Sequence, residues 1–205
     1  MGVLVCEKDC NQKGFSLVEL LITLVIVIIL TTFFAGSFTL TARRSSLQNE
    51  AIAIASRLEM AESLAKSGQS APQQISQFRI VFDSSTNSYT PEMYNTSGSP
   101  VIGWVAAPAI SSTPISLGTG ISLGSGSITI SPTGQPAGAP SQAAEIRFNT
   151  RGFPADIVSG TTIAPRADNA VYLTDGKNYY AITVNILGRV QVWYYSVGQW
   201  FSFSR

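Results

Sequence analysis

The sequence contains no histidine. That removes the commonest general base and the commonest metal ligand. Its two cysteines, Cys6 and Cys10, stand together near the N-terminus. Their separation is not the Cys-x-x-Cys redox spacing, and no second pair completes a zinc set. No cysteine follows Cys10, so no disulfide holds the rest of the chain. Charged residues make up only 12% of the 205 residues, and the formal net charge is +1. Such a balance leaves no electrostatic footprint for nucleic acid or an anionic surface. No lysine lies between Lys66 and Lys177, and the glycine-rich stretch 118–126 lacks the Gly-x-x-x-x-Gly-Lys-Ser/Thr pattern, which excludes a P-loop. Paired-carboxylate and Ser-Lys motifs are also missing. We therefore expect neither an enzyme nor a cofactor or metal.

What the chain does have is a long apolar run fronted by one carboxylate. From Leu20 to Leu30 only Thr23 is polar, and Glu19 stands directly before the run. A buried charge in such a segment costs roughly 2.5–3.5 kcal/mol on insertion scales, so a carboxylate kept there has a partner or a task. A secretory signal fits poorly. Its cut would follow the run, at small residues such as Ala35-Gly36-Ser37. Phe15 to about Ser67 reads as one helix, roughly 80 Å long at 1.5 Å per residue. Its first half, to about Leu40, is apolar on all sides and long enough to span a bilayer. Its second half is one-sided. Leu47, Ala51, Ile54, Leu58, Ala61 and Ala65 recur at steps of four and three. Glu62 and Lys66 form an i,i+4 pair in the favourable order. Gly68 and Pro72 mark the stop. Gly36 is a candidate soft point, since glycine weakens a helix by about 1 kcal/mol relative to alanine.

The remainder reads as β-structure. Residues 78–82 form a first strand, and Tyr89 and Tyr94 fall in a short second one. Residues 97–143 are biased toward Gly, Ser, Thr and Pro, with 118–126 and 131–141 expected as flexible loops. Strands are expected at 145–148, 171–174, 179–186, 189–195 and 200–203. Asp175-Gly176 and Leu187-Gly188 give the turns. These meander spacings predict an antiparallel sheet. The fold class is α+β, a long N-terminal helix on a C-terminal antiparallel β-sheet domain.

The stretch Lys13-Gly14-Phe15-Ser16-Leu17-Val18-Glu19-Leu20 resembles the processing site of type IV prepilins and type II secretion pseudopilins. The resemblance implies cleavage between Gly14 and Phe15, N-methylation of Phe15, and pairing of Glu19 with the new amine of a neighbouring subunit. The later segments Ile146-Arg147-Phe148, Arg151-Gly152 and Ile182 to Val190 are similar to the GspH/FimT class of minor pilins and pseudopilins. The implied organisation is a leader at 1–14, a transmembrane or filament-core helix at 15–40, an amphipathic extension at 41–67 and an extracytoplasmic β domain at 68–205 carrying the 97–143 insertion. The implied location is the inner membrane, single-pass, with the C-terminal domain outside. The implied function is that of a minor pseudopilin in type II secretion, or alternatively a type IV pilus minor pilin acting in biogenesis, adhesion or DNA uptake. Partners would be other pilins, a prepilin peptidase, an inner-membrane assembly platform and the lipid bilayer. Some FimT-like proteins bind DNA through arginines near a Gly-Arg element. Here Arg189 is the matching residue, but Gln191 stands where a further arginine would be, so DNA is not an expected partner.

Overall fold

The computed structural model describes residues 15–67, 78–95, 103–133, 135, 139–158, 162–165 and 169–203. The chain divides into two compact units, Met1–Ala42 and Arg43–Arg205. Helix α1, Leu17–Ser67, is continuous in secondary structure and ends as expected, with Lys66 in its last turn. The proposed stop residues Gly68 and Pro72 lie outside the described residues.

In the second unit, α1 buries one face. Leu47, Ala51, Ile54, Ala55, Leu58, Ala61 and Ala65 are all enclosed. This is the expected stripe with Ala55 added. Four of the seven are alanines, so that face is thin.

Among the described residues twelve strands follow: β1 Phe78–Asp83, β2 Ser88–Asn95, β3 Gly103–Ala106, β4 Ile115–Ser116, β5 Ser122–Leu123, β6 Glu145–Phe148, β7 Ala155–Val158, β8 Thr162–Pro165, β9 Ala170–Thr174, β10 Tyr179–Val184, β11 Val190–Ser196 and β12 Gln199–Phe203. They do not make the single sheet that meander spacing predicted. One five-stranded sheet runs β3-β2-β1-β6, with β4 also pairing β2. A second runs β12-β11-β10-β9-β5, and β7 and β8 form a separate ribbon. All pairings are antiparallel, as expected. Period-two alternation sends Ile80, Phe82, Tyr89, Ile146 and Phe148 of the first sheet, and Val171, Leu173, Tyr180, Ile182, Val184 and Val192 of the second, into one core with the helix stripe. Arg57 donates to the buried Tyr89 hydroxyl at this seam. Burial pushes the Tyr89 phenol up to about 12, against the opposing pull of Arg57.

The stretch 118–126 is not the flexible loop that its composition suggested. Ile121, Leu123 and Ile128 are buried. Ser122 and Leu123 pair with β9, and Gly124 N donates to Tyr172 O at 2.8 Å. The reason is that β9 is buried on both faces. Ala170 and Tyr172 on its outer face, with Ala181 of β10, form a second cluster under Trp193 and Trp200. The chain around residue 130 closes over it, and Trp200 Nε1 donates to Ile130 O at 2.8 Å. Much of 131–141 lies outside the described residues.

Candidate assembly site and the paired asparagine turns

At the N-terminus, Phe15 and Ser16 precede α1, and Leu20 N donates to Ser16 O at 3.1 Å. Phe15 is 78% exposed. Glu19 sits in the first turn, where the helix dipole favours a carboxylate. Among the described residues no cation pairs with it. Gly14, the other half of the expected cut, lies outside the described residues. The large apolar side chains from Leu17 to Leu30 are all exposed. Thr23, Thr31 and Thr32 turn their hydroxyls back to carbonyls three or four residues earlier. Those hydroxyls are thereby satisfied without water, which suits an apolar setting. The span expected over 15–40 is not shown: among the described residues no helix is long and apolar enough to cross a membrane. The apolar surface described from Leu17 to Thr32 covers about 24 Å of helix against a hydrocarbon core of about 30 Å.

In the second unit, two segments fold into the same turn. In Asn149–Phe153, the Asn149 side-chain oxygen accepts from Arg151 N at 2.9 Å and Phe153 N at 3.0 Å. In Asn185–Arg189, the Asn185 oxygen accepts from Leu187 N at 3.0 Å and Arg189 N at 2.9 Å. Each asparagine also donates its own N–H to the carbonyl four residues on, and each accepts from the glycine three residues on. Those glycines, Gly152 and Gly188, have φ of +79° and +87°. The two turns touch. A Cβ on Gly188 would collide with the Gly152 carbonyl and crowd Glu62, while one on Gly152 would collide with the Lys66 side chain. Glu62 and Lys66 are ion-paired at 2.5 Å above them.

The turns present Arg151 and Arg189 to solvent, along with Phe153, Ile186 and Leu187. Arg189 also borders a groove of about 530 Å³ whose walls include Glu59, Glu62, Gln191 and Phe203. A nucleic-acid site would need further arginines gathered beside Arg189, and Arg147 is not among them. Arg147 lies on the outer face of the first sheet and pairs with Glu145, which also binds Arg79 at 2.9 Å. Arg79 in turn pairs with Glu92 at 2.5 Å and stacks on Trp104 with its guanidinium carbon 4.2 Å from the ring centre. Arg166 lies outside the described residues. Among the described residues no three His, Cys, Asp or Glu side chains assemble as a metal-ligand set.

Residues 9–35 match the prokaryotic N-terminal methylation motif. That is a type IV prepilin-like signal, and it supports a type IV pilin-class protein. The matched segment contains Gly14, Phe15 and Glu19, the three residues on which the processing expectation rests. No curated protein and no solved structure matches the chain.

The methylation motif was legible because its conditions are local, a glycine, an apolar residue and a carboxylate before a run. The paired turns were only half legible. Leu187-Gly188 reads as a turn and Arg151-Gly152 as another. The signal that they are one device is the repeated Asn-x-x-Gly, Asn149 to Gly152 and Asn185 to Gly188. Contact between turns 36 residues apart in sequence comes only from the way the two sheets meet.

Proposed function

We propose that this chain is a minor pseudopilin of the GspH/FimT class, a non-enzymatic structural subunit that primes or caps a type II secretion pseudopilus. One observation carries the reading. The methylation motif places Phe15 one helical turn before Glu19, at the head of an exposed apolar helix surface. After cleavage at Gly14, the Phe15 amine is a cation on one subunit, and Glu19 is an unpaired carboxylate on the next. Bringing both into an apolar filament core or bilayer is tolerable only as a pair. The exposed residues 17–30 are then the surface that anchors the subunit in the inner membrane and later packs against other pilin helices. The β domain stands outside the cytoplasm. A role in DNA uptake is disfavoured, since Arg147 is held by Glu145 and the groove beside Arg189 is walled by Glu59 and Glu62. Phosphate binding needs clustered unpaired cations.

The test is mass spectrometry of the N-terminus of the protein purified from membranes of its native host. N-methyl-Phe15 is expected. An intact leader, or an N-terminus near residue 36, overturns the reading. Glu19→Ala should leave the protein in the membrane at unchanged level while removing it from filaments or tip complexes. Undiminished incorporation would rule out the Glu19–Phe15 pairing.

A further inference from the structure

The two edges of the second sheet are built differently. At one, β5 pairs with β9, and Ala143 N donates to Ala170 O at 2.9 Å, so described backbone covers that edge. At the other, β12 is the outermost strand. Its register is set by the two-residue turn Val197-Gly198. The φ angles there, +49° and +79°, are both positive, which is the type I′ geometry of a tight hairpin. Ser196 and Gln199 close the turn and form a hydrogen-bonded pair, and the ladder alternates from there. Tyr194–Phe201 and Val192–Phe203 are the next hydrogen-bonded pairs. Trp200 and Ser202 therefore point their N–H and C=O groups away from β11. Among the described residues no backbone group meets them.

Sheet edges are usually defended by a charge, a proline, a bulge or extreme shortness. β12 has none of these. Gln199-Trp200-Phe201-Ser202-Phe203 is uncharged and free of proline, and its pairing with β11 runs unbroken over five residues. Side chains hold it in place from both faces. Phe201 stacks on Tyr194 with ring centres 5.4 Å apart, and Trp200 meets Tyr195 edge-on at 5.2 Å. Trp200 is also tied to Ile130 O. The strand is ordered while its outer backbone edge stays open, which lowers the ordering cost of a further strand.

The groove beside Arg189 runs along this edge. Ala55, Glu59 and Glu62 of α1 bound it on one side, and Val192, Ser202 and Phe203 on the other. A strand laid along β12 projects alternate side chains into it. The charges around it balance. Glu62 is matched by Lys66, and Arg189 and Glu59 are opposite in sign. Such a groove suits uncharged side chains, as β12 itself does.

We propose that β12 receives a strand from a different pilin-class subunit. The donated segment is extended and uncharged, pairs with the open groups of Trp200 and Ser202, and sets its inward side chains in the groove. The inference rests on the pilin-class reading and names one contact for it. An undefended edge invites aggregation whenever it is bare. Its cover is therefore a partner present throughout assembly, not a secreted protein in passing. A second copy does not fit. Two β12 strands joined antiparallel across a two-fold reverse one sheet relative to the other. The second half of α1, packed on the inner face, is reversed with it. Subunits anchored by the same end of that helix cannot share a membrane in that arrangement. The contact is made once, to a neighbour of another kind, as a priming or capping subunit requires.

The experiment is residue-resolved hydrogen exchange on the full mature chain, isolated in detergent and within the filament or tip complex purified from membranes of the native host. In the isolated chain the Phe201 amide, bonded to Tyr194, should exchange slowly and those of Trp200 and Ser202 fast. In the complex the Trp200 and Ser202 amides should slow by about tenfold or more, with Phe201 little changed. Ser202→Pro removes one outward N–H at a position where an edge strand tolerates proline. It should reduce incorporation by about tenfold while the isolated chain still melts cooperatively, whereas Ser202→Ala, which keeps the N–H, should incorporate normally. If the proline variant does not fold, the exchange pattern of the unsubstituted chain decides. Fast exchange at Trp200 and Ser202 in the complex, or undiminished incorporation of folded Ser202→Pro, overturns the proposal. So does a disulfide-linked homodimer of Phe201→Cys in a chain with Cys6→Ser and Cys10→Ser, since an antiparallel self-pair sets residue 201 opposite itself. The N-terminus of the same sample separates the two readings. Methylated Phe15 with an unprotected edge defeats the strand addition alone, and an unprocessed N-terminus defeats the pilin-class reading as well.

Discussion

Gly188 is where sequence and packing meet most tightly. Its φ of +87° alone strains any other residue, and a Cβ would also strike the Gly152 carbonyl. Gly176 has nearly the same φ, +86°, but open space around it. The pair therefore separates backbone strain from close approach. Gly176→Ala should cost about 1–2 kcal/mol, the left-handed penalty alone. Gly188→Ala should cost at least 1 kcal/mol more, because backbone and Glu62 must move as well. Chemical denaturation of both variants checks this. Equal losses would show that the two turns do not press on each other. The same residues explain why Phe148-x-x-x-Gly152 and Gly188-Arg189 stood out in the sequence. Each glycine is required twice, by its own turn and by its neighbour.

At the scale of elements, the second half of α1 was the most readable part of the chain. A helix face needs only side-chain periodicity, and Leu47, Ala51, Ile54, Leu58, Ala61 and Ala65 are all buried where their spacing put them. Leu58 is fully enclosed among strands of both sheets. Leu58→Ala should cost about 2–5 kcal/mol, the usual range for emptying such a site. Glu59→Gln, one residue along and outside the stripe, should cost much less. A denaturation midpoint that moved equally for both would mean that the stripe is not the core face. Strand edges were less readable. The first-sheet strand β3 and the short β4 and β5 lie in a stretch of Gly, Ser, Thr and Pro whose composition speaks for loops. What makes 121–128 ordered is remote. Tyr172 and Trp200 need a cover on the outer face of the second sheet, and β9 and β12 come much later in sequence. Local propensity cannot register that demand. The division into two sheets was hidden for the same reason, since Asn87 reaching Leu123 N and Ala143 N reaching Ala170 O join segments far apart in sequence.

For the whole molecule, the decisive fact is that the described core lies on one side of the unit boundary. Among the described residues the first buried apolar one is Leu47, and every other member of the core follows it. The unit Met1–Ala42 supplies exposed apolar surface between Leu17 and Leu30 but no described core residue. Under the proposed function the two units answer to different solvents, one to water and one to lipid or to neighbouring helices, and the apolar half is dispensable for folding. A chain beginning at Arg43 should be soluble and melt cooperatively. Its midpoint should lie within about 2–4 °C of the detergent-solubilised full chain, the shift that about 1 kcal/mol produces in a domain of this size. Circular dichroism melts of both proteins make the comparison. A truncated chain that aggregates under all conditions, or loses signal without a transition, would show that α1 before Arg43 is needed by the β domain.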